Sequence, residues 1–411
     1  MSDFGAAEAS RCLLCKKPKC ALQGCPVHTP VPECMELYRE GRMDEAAELL
    51  FQNNPLSAIT SLVCDWKQFC FGHCVLNVKK MPIHWYKVEQ EISGNYLPKV
   101  ILGRRDDSLQ GKRIAIVGAG PAGIAAAVWL YQKSATVVMY DANPRMGGVL
   151  RYGIPAFRLD KALVDQYERI LSVVEFHGGV EIESVAPLAA EYDAVIVCAG
   201  AEKPATLHIP GEEKSIQALP FLKNPAAYDL GRKTIVIGGG NVAMDACRTA
   251  QRHGSETWVY YRKTFENMPA NPMEVEEAKA DGVQFAVFEA PVEVRDGGVV
   301  FCKCENIVPE DGGRVVTRII PGTEHFVECD TLITAISETP DFMLLSGASF
   351  GADGWPEVAS DGRVAGLRNV FVAGDFRLGP RTVVEAVASA RRVVDSLSAT
   401  SSGGVGVNVD R

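Results

Sequence analysis

Eight of the thirteen cysteines in this 411-residue chain lie before residue 75: Cys12, Cys15, Cys20, Cys25, Cys34, Cys64, Cys70 and Cys74. The opening MSDFGAAEASR has neither a basic start nor an apolar signal core. Without an export signal, clustered thiols point to metal binding rather than to disulfides. Cys12-x2-Cys15-x4-Cys20-x4-Cys25-Pro26 is a looser form of the iron–sulfur run whose last cysteine, before proline, serves the other cluster. Cys12, Cys15 and Cys20 then need one further ligand, and Cys25 is free to join Cys64, Cys70 and Cys74. That makes seven thiolates and one outside ligand for two 4Fe–4S clusters. The same residue types would support a structural zinc domain. Cys34 stands alone on a helical stretch and reads as filler. Cys198, Cys247 and Cys329 fall in apolar contexts and read as core. Cys302 and Cys304 alternate onto one strand face with no partner motif, which favours packing over a redox pair.

A second kind of chemistry lies in the glycines. Residues 112–130, KRIAIVGAGPAGIAAAVWL, give a β-branched run, then Gly118, Gly120, Pro121, Ala122 and Gly123, then an Ala-rich helix. Such glycines permit a tight turn, close backbone approach to a pyrophosphate and close helix–strand packing, and the helix N-terminus favours the anion. Asp141, about twenty residues on, ends the next strand, where a carboxylate binds a ribose hydroxyl. The Gly/Pro-rich stretch 143–160, with Gly148 and Leu150, reads as a loop shaped around a ligand. Late in the chain, VFVAGD (370–375) is a strand ending in Gly374 and Asp375, and Thr382 opens a helix. A strand that returns to the first fingerprint and ends in Asp fits a two-piece FAD site. A second fingerprint, Gly238-Gly239-Gly240-Asn241-Val242-Ala243, ends its second strand in Arg262 and Lys263 rather than an acid. Two cations there attract a 2′-phosphate, so the reading is NADPH over NADH. An iron–sulfur cluster beside a flavin has a use, because it passes single electrons on; zinc would be redox-silent.

These motifs need an α/β scaffold. We expect a helical iron–sulfur domain (1–110) followed by two Rossmann-like domains, the second inserted into the first. The FAD domain would cover 111–228 and 329–400, the NAD(P)H domain 229–328, and 401–411 a disordered tail. Residues 31–50 show helical spacing, 102–111 read as a polar connector, and 331–336 and 370–374 as closing strands. A net charge of −9 argues against nucleic acid or an anionic membrane as partner. The uncharged run 114–131 is long enough to span a bilayer, but its glycines and proline sit in a nucleotide fingerprint, so no membrane insertion is expected. The expected location is cytoplasmic. No Walker loop or Ser/His/Asp arrangement supports hydrolysis or phosphoryl transfer.

Over most of its length the chain resembles the small (beta) subunit family of glutamate synthase. The family includes the electron-input subunit of bacterial dihydropyrimidine dehydrogenase. The matches include EASRCLLC (8–15), GCPVHTPVPE (24–33), VGAGPAGIAAA (117–127), GGVLRYGIPAFRLDK (147–161), IGGGNVAMD (237–245), YRKTFENMPA (261–270) and VFVAGDFRLGPRTVVEA (370–386). The resemblance implies electron flow from NAD(P)H to FAD, through two 4Fe–4S clusters, to a second redox subunit or ferredoxin-like acceptor. No side chain need act as acid or base, because hydride passes between cofactors. It also implies that Glu89 completes the first cluster with Cys12, Cys15 and Cys20. The chain departs from its relatives at Thr60, where they carry a cysteine, and at Ile336-Ser337-Glu338-Thr339-Pro340, where they tend to have IGQTP. A stand-alone NAD(P)H:acceptor reductase is the alternative enzyme. The non-enzyme alternative is a cysteine-rich docking module on a degenerate flavoprotein fold. A disulfide-reductase mechanism would need a Cys-x2-Cys in the nicotinamide domain, which is absent.

Overall fold

The computed structural model describes residues 1–307 and 316–401. The chain divides into two compact units. One comprises Met1–Leu150, Ala156–Ala201 and the chain from Pro340 onward; the other comprises Arg151–Pro155 and Glu202–Thr339.

The first unit opens with helices Asp3–Arg11, Lys19–Leu22, Val31–Arg39, Met43–Asn53, Ser57–Val63 and Trp85–Tyr96. Their apolar faces bury Met35, Tyr38, Leu50, Trp85, Val88 and Ile92. The helical spacing of 31–50 is realised as two helices, because Gly41 takes φ +75°. Gly41 N–H then donates to Tyr38 O at 3.1 Å and Arg42 N–H to Leu37 O at 2.9 Å, which closes the first helix.

The rest of this unit is a parallel sheet in the order Val370–Val372, Ala194–Val197, Arg113–Val117, Thr136–Asp141, Glu175–Gly178. In register, Ile114 faces Val137 on one side and Ala194 on the other. Helix Pro121–Gln132 is apolar nearly all round because it is buried on nearly every side, and helix Val383–Ser401 packs along it. Among the described residues no helix is long and apolar enough to cross a membrane.

Among the described residues, side chains bond the helical region to the sheet region. Trp129 Nε1 donates to Gln52 O (2.9 Å) and Tyr167 OH to Pro55 O (2.9 Å). Arg169 donates to Val100 O and Leu97 O (both 2.9 Å), and Arg391 to Asn53 O (3.3 Å). All these acceptors are backbone carbonyls, so the contacts fix position without depending on the partner side chain.

The second unit repeats the parallel arrangement in the order Ile216–Gln217, Thr331–Thr334, Lys233–Ile237, Glu256–Tyr261, Gln284–Val287. An antiparallel sheet of Glu289–Arg295, Gly298–Ile307, Val316–Ile319 and His325–Glu328 follows. The expected borders at 229 and 328 move outward. Ile333 pairs with Val236 on one side and Ile216 on the other, so Thr331–Thr334 closes the second sheet rather than the first. The last helix runs to Ser401, so Ser401 leaves the expected tail; the rest, 402–411, lies outside the described residues.

Candidate cofactor sites

At the first fingerprint each glycine has a distinct reason. Gly118 takes φ +101°, and a Cβ there would lie 2.3 Å from Cys198 O. A Cβ on Gly123 would lie 2.0 Å from Gly118 O, so only glycine lets the helix sit against the strand end. At Gly120 a Cβ would meet only Gly148 Cα, at 3.8 Å; the backbone is open there. Gly148 closes the cradle from the other side, at φ +51°, and its Cβ would lie 2.8 Å from Gly120 Cα. This space suits a pyrophosphate at the start of helix Pro121–Gln132. Leu150 is buried in the adjoining turn.

Asp141 holds the turn. Its carboxylate accepts from Ala119 N–H (2.7 Å) and Asn143 N–H (2.7 Å). Two acceptor oxygens leave capacity for ribose hydroxyls beside these bonds. Gly374 is seated on the same helix start, since a Cβ there would lie 2.8 Å from Ala122 Cβ. Asp375 accepts from Arg381 N–H at 3.2 Å. Thr382 and Glu385 form a reciprocal cap: the Thr382 hydroxyl donates to Glu385 at 2.7 Å, and Glu385 N–H donates back to Thr382 Oγ1 at 3.4 Å. Gly118–Gly123, Asp141, Gly148, Gly374, Asp375 and Thr382 thus come from one sheet edge and the helix ends beside it.

The second fingerprint follows the same rules. Gly238 takes φ +147°, and its Cβ would lie 2.1 Å from Ala335 O; Gly240 is open. Ala243 replaces the third glycine, and its Cβ stands 3.3 Å from where a Gly238 Cβ would be. Asn241 Oδ1 accepts from Asn271 N–H at 2.8 Å, which ties the loop at 271 to the helix start where Val242 follows. Arg262 is exposed just beyond strand Glu256–Tyr261, and Lys263 follows it. Tyr261, whose ring would lie 2.6 Å from a Cβ on Gly239, has a role that motif reading missed: it fills the space against the glycine loop.

The cysteines surround two pockets. Cys12, Cys15, Cys20 and Cys74 line one of about 460 Å³. Cys25, Cys64 and Glu89 line a second of about 410 Å³. Cys70, Val31 and Trp85 border both. This exchanges two residues of the expected partition. Cys74 stands with the N-terminal run, and Glu89 with Cys25, Cys64 and Cys70. The electrostatics agree. Burial pushes the Cys20 thiol up to about 12, with Cys74 the next contributor. Burial pushes Cys64 and Cys70 well up, with Glu89 next in each case. Glu89 itself is pushed up to about 8 by burial, with the Trp85 indole pulling the other way. Buried acids and thiols crowded together are costly unless a cationic group binds them. Among the described residues no three His, Cys, Asp or Glu side chains converge on a single-ion site. The ligand-type groups line the two pockets, and thiolates are the donor type that 4Fe–4S clusters take.

Motif reading missed three other residues here. Thr29 Oγ1 lies 3.2 Å from Cys25 Sγ, and Asn54 Nδ2 donates to Thr60 Oγ1 at 2.8 Å. Asn54 and Thr60 both line the second pocket, so Thr60 is a wall residue held by Asn54. Val384, two residues past the capping Thr382, lines the same pocket. Cys198, Cys247, Cys302, Cys304 and Cys329 are free thiols in the core, as the sequence suggested, and Cys34, read as filler, is buried too.

Residues 112–390 match the pyridine nucleotide-disulphide oxidoreductase family, and residues 2–98 match dihydropyrimidine dehydrogenase domain II, 4Fe-4S cluster. The glutamate synthase [NADPH] small chain of Escherichia coli is 31% identical over 95% of this chain and 90% of its own length. The chain belongs to the glutamate synthase small-chain family. It is an NAD(P)H-dependent flavoprotein oxidoreductase carrying a 4Fe–4S domain. Another relative, the NADPH-Fe(3+) oxidoreductase subunit beta of Geobacter sulfurreducens, is 30% identical over 90% of this chain and 61% of its own length. Among solved structures, Mycobacterium tuberculosis FprA in complex with NADPH shares the fold, with a TM-score of 0.61 at 20% identity. It covers 70% of this chain and 83% of that one. Thioredoxin reductase of T. acidophilum covers 71% of this chain and 100% of that one, with a TM-score of 0.56 at 19% identity.

Proposed function

We propose that this small-chain relative is an electron-input subunit, taking two electrons from NADPH and delivering them singly through two 4Fe–4S clusters to a partner oxidoreductase. A glutamate synthase or dihydropyrimidine dehydrogenase catalytic subunit is the kind of acceptor intended. FAD held at the first fingerprint would supply a two-electron hydride acceptor, and clusters held in the cysteine pockets would supply one-electron carriers.

The chain's own residues bind and position. Gly118, Gly120, Pro121, Ala122 and Gly123 cradle the FAD pyrophosphate, Asp141 the ribose, and Gly148 and Leu150 close the loop over it. Gly374, Asp375 and Thr382 hold the flavin end. Gly238, Gly240, Asn241 and Val242 take the NADPH pyrophosphate, and Arg262 with Lys263 the 2′-phosphate. Cys25, Cys64, Cys70 and Glu89 hold one cluster; Cys12, Cys15, Cys20 and Cys74 hold the other.

One observation carries the order of transfer. The helix capped by Thr382 reaches the Glu89 pocket through Val384, and that pocket shares Val31, Cys70 and Trp85 with the Cys74 pocket. The Glu89 site is therefore flavin-proximal and the Cys74 site distal. Relatives named as small chains and beta subunits support a separate polypeptide as acceptor.

The test is anaerobic NADPH titration of purified protein, with iron and sulfide analysis. About eight irons per chain and bleaching of both flavin and cluster absorbance are expected. Cys74→Ser is expected to remove the distal cluster signal and leave the flavin reducible, whereas Cys64→Ser removes the proximal one. A yellow protein containing zinc and no iron would end this reading.

A further inference from the structure

Around the mouth of the Cys74 pocket the surface changes character. Stretches 9–32 and 66–88 contain eight Lys or Arg and no Asp or Glu, in a chain whose net charge is −9. Leu13, Lys19 and Val75 line the pocket and are themselves exposed. Leu13 is 61% exposed, Leu22 55%, Met81 58% and Val78 91%. The two stretches adjoin. Arg11 Nη2 donates to Met81 O at 2.7 Å, and a Cβ on Gly24 would lie 2.8 Å from Phe69 O and 2.9 Å from His73 Cβ. Lys16, Lys17, Lys79 and Lys80 are exposed in the same two stretches. The ion pairs of the helical region run through the N-terminal amine, Arg11, Arg42, His84, Lys99 and Arg105, and among the described residues none runs through these lysines.

An apolar centre with a cationic rim is the anatomy of a recognition surface, and here it frames one metal-ligand pocket. Unpaired rim charges in an acidic protein serve association rather than folding, because they steer an oppositely charged partner and set its salt dependence. We propose that this face is the electron-exit dock for a protein acceptor whose own redox centre is ringed by carboxylates, Leu13, Val75, Val78 and Met81 making the apolar contact and Lys16, Lys17, Lys79 and Lys80 the rim. The inference rests on the electron-input reading above, and adds the outlet and the charge class of the acceptor. One NADPH yields NADP⁺, one proton and two electrons, which reduce two one-electron acceptors.

The test uses the holoprotein and two haem probes of opposite charge, an acidic b-type and a basic c-type cytochrome, with a neutral quinone as control. Between about 20 and 300 mM salt, kcat/KM for the acidic cytochrome is expected to fall roughly tenfold or more as the rim is screened. Combined Lys16→Glu, Lys17→Glu, Lys79→Glu and Lys80→Glu is expected to cost roughly tenfold with the acidic probe, favour the basic one, and leave quinone reduction unchanged. A rate on the acidic probe indifferent to salt and to charge reversal, or a wild-type preference for the basic probe, overturns the proposal. Calorimetric binding of the acidic cytochrome at low salt reads docking without turnover. If NADPH fails to reduce even the quinone, the electron-input reading falls, while binding abolished by charge reversal still upholds the dock and binding unaffected by it rejects it.

Discussion

Glu338 offers a sharp test of the electrostatics in the second unit. It lies on the two-residue strand Glu338–Thr339, paired antiparallel with Lys203–Pro204. Desolvation alone raises its carboxyl from 4.5 to about 7. Below about pH 4.5 both folded and unfolded chains keep the proton and nothing is lost. Between 4.5 and 7 the unfolded chain releases it while the folded one retains it, so stability falls as pH rises. Above about 7 both are ionised and the full cost stands. That cost is about 2–3 kcal/mol once partial solvent contact is allowed for. Glu338→Gln, the residue of the IGQTP pattern, keeps shape and removes the charge. The expected gain is about 1 kcal/mol at pH 5 and about 2–3 kcal/mol at pH 8. Urea unfolding at the two pH values reads it as a midpoint rise of about 1 M at pH 8, for an m value near 2 kcal/mol/M. A gain of the same size at both pH values, or none at pH 8, would refute the argument, because only an ionisation cost has this pH profile.

Ser337→Gly, at a position with φ +128°, should relieve backbone strain and add about 1 kcal/mol, visible in the same unfolding curves. Gly123→Ala places a Cβ 2.0 Å from Gly118 O, so it should cost about 1–3 kcal/mol and yield protein purified with little bound FAD, measured by flavin absorbance. Arg262→Ala should raise KM for NADPH about tenfold and leave KM for NADH within twofold; equal effects on both would remove the 2′-phosphate assignment. Tyr167→Phe leaves the buried Pro55 carbonyl without its 2.9 Å donor and should cost about 1–3 kcal/mol in thermal or urea unfolding.

What the sequence made legible follows from how local each signal is. Each fingerprint is written within one strand–turn–helix, where residue type and spacing decide backbone geometry, and Asp141 ends the strand that follows the first. The unit borders are not local. Ile216–Gln217 is two residues long and joins its sheet only by pairing with Thr331–Thr334, more than a hundred residues away. The break at Gly41 was readable, since glycine just past an amphipathic stretch is a stop signal.

The cluster partition marks the limit of spacing arguments. Spacing says how many ligands a segment offers, not which cavity each faces. Cys70 and Cys74 are only four residues apart, yet Cys70 borders both pockets while Cys74 lines one. Spacing groups Cys74 with Cys64 and Cys70, and the family resemblance gives Glu89 to the first cluster, whereas the pockets set Cys74 beside Cys12, Cys15 and Cys20, and Glu89 beside Cys25 and Cys64. A usable signal was nonetheless present. On helix Trp85–Tyr96 the buried positions are Trp85, Val88, Glu89, Ile92 and Ser93, the i, i+3, i+4, i+7, i+8 stripe of a core-facing helix. A carboxylate on such a stripe needs a cation, and the structure provides a pocket lined by thiols instead. Glu89 also lies one turn from Trp85, which borders both pockets, and lines the pocket that Cys12 and Cys74 do not. The burial pattern of that helix thus supports placing Glu89 beside Cys25 and Cys64, a grouping that cysteine spacing does not give.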